Sequence, residues 1–137
     1  MKRPQVLAPA GSQEALEAAI AGGADAVYFG LDEGFNARAR AANFPVAQLA
    51  QTVAKIHHYG VRAYLALNTL IFESELASVV AILEQAQASQ VDAIIVQDPA
   101  LAILAARYFP KLEIHASTQM TISSPQAAQF AKKIGCC

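Results

Sequence analysis

A chain of 137 residues has the length of one ordinary domain, and at 55% hydrophobic and 15% charged it is made for burial, which excludes a disordered or linker role. Its net charge of -1 excludes a global electrostatic attraction to nucleic acid or to an anionic membrane, so any RNA contact has to be local. No apolar run approaches the roughly 20 residues of a membrane span, and Met1-Lys2-Arg3-Pro4 leads into no signal-peptide core, so a cytoplasmic protein with no membrane contact is expected.

The first strand is predicted over Gln5 to Ala8, followed by Pro9-Ala10-Gly11-Ser12, in which Ser12 caps a helix that buries Leu16, Ala19 and Ile20 and ends at Gly22-Gly23. Ala26 to Phe29 form the second strand. A polar stretch with Asn36, Arg38, Arg40 and Asn43 follows, until Pro45 opens a helix burying Val46, Leu49, Val53 and Ile56 and stopping at Gly60. Arg62 to Leu67 are the third strand, and the next helix carries Leu76, Val79, Val80 and Leu83 on one stripe. Ala93 to Val96 are the fourth, after which Asp98-Pro99 starts a helix turning Leu101, Leu104, Ala105 and Tyr108 inward and halted by Pro110. Glu113 to Ala116 are the fifth, and Ser124-Pro125 open a last helix that ends at Gly135.

Five consecutive strand-helix units define an α/β protein with a parallel sheet. Right-handed crossovers that set each strand beside the last build either a barrel or half of a doubly wound sheet. A dinucleotide-binding doubly wound sheet needs Gly-x-Gly-x-x-Gly after its first strand, whereas Pro9-Ala10-Gly11-Ser12 has a single glycine, which favours the barrel. The expected architecture is therefore a parallel (β/α) TIM-barrel-like fold, with residues 1–137 as its N-terminal portion. Five units make an incomplete barrel, since a closed eight-unit barrel takes about 250 residues. Unpaired strand edges then predict self-association. The segments Ala24-Asp25-Ala26-Val27-Tyr28-Phe29 and Val91-Asp92-Ala93-Ile94-Ile95-Val96 recur two units apart, in keeping with a repeated unit.

In such folds the chemistry collects on the face formed by the carboxyl ends of the strands. Arg38 and Arg40, two apart in a loop, suit a phosphate or carboxylate grip, or else solvate the loop or pair with Asp32 or Glu33. Asn68, Ser117 and Gln119 are the other candidates for substrate binding. Asp98 and His115 are the candidates for catalysis, against bland readings as a helix cap and a core histidine. His57 and His58 read as a solvated pair at a helix end, and Met120 as packing. The adjacent Cys136 and Cys137 form neither a disulfide framework nor a Cys-x-x-Cys knuckle, and no metal ligands are assigned. Nothing here pairs a nucleophile with a base, so the residues alone specify no reaction.

The stretches Leu7-Ala8-Pro9-Ala10-Gly11-Ser12, Gly23-Ala24-Asp25-Ala26-Val27-Tyr28-Phe29-Gly30, Asn36-Ala37-Arg38-Ala39-Arg40, Leu67-Asn68-Thr69, Asp92-Ala93-Ile94-Ile95-Val96-Gln97-Asp98 and His115-Ala116-Ser117-Thr118-Gln119 together resemble the U32 peptidase family, also described as collagenase-like proteases. The resemblance implies a barrel followed by further segments. Several branches of that family hydroxylate RNA bases, and the Asn68 and Gln97 to Gln119 pattern is most similar to the ribosomal-RNA branch. It further implies that a full-length parent modifies RNA by hydroxylation, with a peptidase as the alternative the family name carries. An iron–sulfur cluster, where branches hold one, would sit on cysteines beyond Cys137. This portion by itself is then expected to carry no cofactor and to be inactive.

Overall fold

The computed structural model describes residues 3–37 and 43–137. Five parallel strands, β1 (Leu7–Pro9), β2 (Ala26–Phe29), β3 (Arg62–Leu67), β4 (Ala93–Val96) and β5 (Glu113–Ala116), lie in the sheet in chain order. Between and after them run α1 (Gln13–Ala21), α2 (Leu49–His58), α3 (Leu76–Ala88), α4 (Pro99–Tyr108) and α5 (Pro125–Lys133). The sequential order removes the doubly wound alternative, in which a later strand would return to the far side of β1.

Strand parity divides the sheet into a helix-covered face and an inner face. Val27, Phe29, Ala63, Leu65, Leu67, Ile94, Val96 and Ile114 share one core with Leu16 of α1, Val53 of α2, Leu83 of α3, Leu101 of α4 and Ala131 of α5. All five helices thus cover the same face of the sheet, whereas a doubly wound sheet has helices on both. The intervening residues Ala26, Tyr64 and Ala93, with Tyr28 and Ile95 packed on them, form a second small cluster on the opposite, inner face.

Local chemistry sets the helix starts. Ser12 Oγ accepts the Ala15 N–H at 3.1 Å, Asp98 Oδ1 accepts that of Ala100 at 2.8 Å, and Ser124 Oγ accepts that of Ala127 at 3.1 Å. Each satisfies a donor that the first helical turn leaves without a partner.

Four expectations need correction. The first strand begins two residues later than predicted, at Leu7, because Val6 is tied to the loop before β2: its carbonyl accepts the Asp25 N–H at 2.9 Å and its own N–H donates to Asp25 Oδ2 at 2.7 Å. In α3 the buried stripe is Val79, Ile82, Leu83 and Ala86, while Leu76 is 44% exposed, since it lies on the first turn, just after the exposed Leu70 and Phe72. In α4, Ala102 is buried in place of Tyr108, which is 63% exposed. Pro110 forces Phe109 out of the helical region, to φ -127 and ψ 61, and the turn swings the Phe109 ring into the core instead. His57, finally, is not merely solvated, because its Nε2 lies 2.8 Å from Asp92 Oδ2.

That contact gives the sequence recurrence a structural meaning. Asp25 and Asp92 each precede a strand and each accept a backbone N–H at 2.7 Å, from Val6 just before β1 and from Ala63 in β3 respectively. Each carboxylate also holds a cation or imidazole from outside the sheet, Arg3 at 2.7 Å in one unit and His57 in the other. The repeated aspartate therefore seals the amino-terminal edge of the sheet in alternate units.

Candidate functional site

At the opposite edge, where the strands end, a cavity of about 590 Å³ opens on the inner face. Gly30, after β2, makes room for the side chains of Asn36 and Asn43 on its rim: a Cβ there would lie 2.7 Å from Asn36 Cγ and 2.9 Å from Asn43 Oδ1. Asn36 is buried, and its amide donates to the Leu31 carbonyl at 3.0 Å, so the loop after β2 folds back over the sheet end. Phe44 anchors the return of that loop, its ring edge-on to Phe29 at 5.3 Å.

Of the residues named from sequence, Asn68, His115, Ser117 and Gln119 all line this cavity. Asn68 Oδ1 accepts the Ala37 N–H at 3.0 Å, tying the β2 loop to the end of β3. Ser117 is buried, and its Oγ accepts the Gln119 N–H at 3.2 Å at the start of the turn after β5. Arg38 and Arg40 lie outside the described residues, although Ala37 and Asn43 on either side both line the cavity. Asp98 does not line it. Besides capping α4, its carboxylate accepts the Ile71 N–H at 3.0 Å, so both oxygens hold backbone of neighbouring units.

Tyr28 also lines the cavity and was missed from sequence. The available signal was parity: Tyr28 stands two residues after Ala26 on the inner face and is in register with Tyr64 of β3.

Below the cavity the inner face is charged. The His115 ring stands edge-on to Tyr64 at 4.8 Å, and its Nε2 lies 3.4 Å from Glu113 Oε2. Arg62 donates to the same Glu113 oxygen at 2.8 Å, and its guanidinium lies 5.2 Å from the centre of the Tyr64 ring. This hydrogen bond from Arg62 is the main cause holding the Glu113 carboxyl below its ordinary value, and burial pushes the Tyr64 phenol up. Burial likewise raises the Cys136 thiol.

Chemically, the cavity offers amides, hydroxyls, an imidazole and a phenol. Among the described residues no hydrogen bond joins Ser117 to His115, so no serine–histidine hydrolytic pair is assembled. A cluster on four thiolates does not fit this chain either, whose two cysteines are adjacent, one buried and one exposed. Among the described residues no helix is long and apolar enough to cross a membrane.

The sequence profile of Peptidase family U32 matches residues 11–137. The chain is 41% identical over 127 residues to a collagenase of Porphyromonas gingivalis, covering 92% of this chain and 30% of that protein. It is 35% identical to tRNA hydroxylation protein P1 of Bacillus subtilis, covering 98% of this chain and 32% of that one. Identity to a 23S rRNA 5-hydroxycytidine synthase of Escherichia coli is 36%, over 97% of this chain and 20% of the relative. The chain thus spans about a third or less of these relatives. A solved U32 peptidase, Mk0906, superposes with a TM-score of 0.79 at 15% identity, over 99% of this chain and 57% of that one, a likeness of fold.

Proposed function

The chain belongs to peptidase family U32, and from that premise we propose that it is the N-terminal portion of a barrel whose complete form is a cytoplasmic enzyme hydroxylating RNA. The observation that carries this reading is the lining of the cavity: Asn68, Ser117 and Gln119 are uncharged donors and acceptors suited to the edges of a base, beside the aromatic rings of Tyr28 and His115. Unpaired RNA bases are read in this way, by stacking and by hydrogen bonds to their edges. Relatives named as tRNA and rRNA hydroxylation proteins agree with it. Arg38 and Arg40 are proposed to grip the flanking phosphates, and any iron–sulfur cluster of the parent belongs to segments beyond this chain.

A peptidase is the second reading, favoured by the 41% identity to a collagenase. It lacks a serine–histidine pair among the described residues. The test offers the complete protein a structured RNA and a collagen peptide in parallel, with mass spectrometry of both. A gain of one oxygen on a pyrimidine supports the proposal. Peptide cleavage with the RNA unchanged would overturn it.

The portion alone is proposed to be inactive and to self-associate, because β1 and β5 are the edges of an open sheet. Light scattering is expected to give a mass well above the 14.5 kDa of one chain. A cooperative, monodisperse monomer would show that the edges need no partner.

A further inference from the structure

We propose that Glu113, His115 and Cys137 form a binding site for a divalent cation of the zinc class, on the inner face below the cavity. One ligand atom from each, a carboxylate oxygen, an imidazole nitrogen and a sulfur, lies within 4.8 Å of the other two. A tetrahedral ion with ligands at about 2.0 to 2.3 Å sets those atoms roughly 3.3 to 3.8 Å apart, so the three need to close by only about 1 Å.

The fold brings them together for reasons that can be traced. Glu113 and His115 are two residues apart on β5 and share its inner face. Cys137 arrives from the far end of α5. Gly135, at φ 108, turns the chain back, and the Cys137 N–H then donates to the Ile114 carbonyl at 2.9 Å, docking the residue beside β5. The two thiols part company: Cys136 is buried in the main core, and Cys137 is exposed, its Sγ donating to the Ile114 carbonyl at 3.6 Å.

The surroundings suit an ion. Tyr64 holds the His115 ring edge-on with Nε2 toward Glu113, so the imidazole is oriented before any metal arrives. Arg62 donates to Glu113 Oε2 at 2.8 Å, so a cation competes with it for that carboxylate oxygen. Thiolate, imidazole and carboxylate together select a borderline-soft ion such as zinc over magnesium or calcium. Three protein ligands leave a fourth position open, as in catalytic rather than structural zinc sites. His115 also lines the cavity, so the site adjoins it. The proposal stands apart from the question of which polymer the cavity accepts.

The test is protection of a thiol. In a Cys136→Ala background, Cys137 is the one cysteine of this chain, and its alkylation can be followed by peptide mass spectrometry in the purified chain. Zinc should slow that alkylation by about tenfold or more, and magnesium should leave it unchanged. The protection should disappear in His115→Ala and in Glu113→Gln, with circular dichroism confirming that both remain folded. Cobalt supplies a second readout, a thiolate charge-transfer band that is absent in Cys137→Ser. Alkylation indifferent to zinc, protection that survives both ligand substitutions, or a cobalt band that persists without Cys137 would each overturn the site.

Discussion

Exchanging Arg38 and Arg40 together for alanine should weaken RNA binding by the complete protein by on the order of 100-fold at low salt and flatten its salt dependence. Each arginine that neutralises a phosphate releases condensed counterions, worth about 0.7 in the slope of log affinity against log salt for a single strand, so losing two should lower that slope by about 1.4. The net charge of this chain is only -1, so binding here must come from local cations rather than from a general positive field. Lys132 and Lys133, in the last turn of α5, serve as the control, since they do not line the cavity and their removal should change the slope less. Titration of a labelled RNA at several salt concentrations measures both quantities. An unchanged slope in the double variant would leave the arginines as solvation of the β2 loop.

Replacing Gly135 by alanine should destabilise the fold by about 3 kcal/mol or more, from two separable causes. At φ 108 the backbone is in a region that an L side chain enters only with strain. An added Cβ would also sit 2.5 Å from Ala106 Cβ on α4, far inside contact distance, so α5 and α4 would have to separate. Ala106→Gly removes that second clash but not the first. The double variant should therefore recover part of the loss, and the coupling energy in denaturant unfolding would measure the helix contact. Full additivity would mean that α4 yields freely and that the strain is all in the backbone.

That Gly135 ends a helix can be read from its place after an amphipathic segment, but that it also lets α5 approach Ala106 cannot, because the two residues are far apart in the chain. Likewise, β2 to β5 were readable to the residue, since each is a short apolar run bounded by turn residues. Ser12, Asp98 and Ser124 were readable as caps because a cap acts within three residues of itself.

Where the local pattern misled, a contact from elsewhere had decided the outcome. Periodicity turned Tyr108 inward, but Pro110 bends the chain and the core receives Phe109. His57 looked solvated until Asp92, brought alongside by the crossover from β3 to β4, took its imidazole. Asp98 was legible as a cap, while its second hydrogen bond, to the Ile71 N–H of the preceding unit, belongs to the assembled face.

The sequence by itself determined the class, the five units, the family and most of the polar groups at the strand ends, because alternation, helical periodicity and capping are interactions between near neighbours. Tertiary structure alone decided that Asn68, His115, Ser117 and Gln119 share one cavity with Tyr28, and that Glu113, His115 and Cys137 meet below it. Those meetings depend on the register of parallel strands and on the path of α5 back to β5. Such register is set by the whole packed sheet rather than by any stretch of chain.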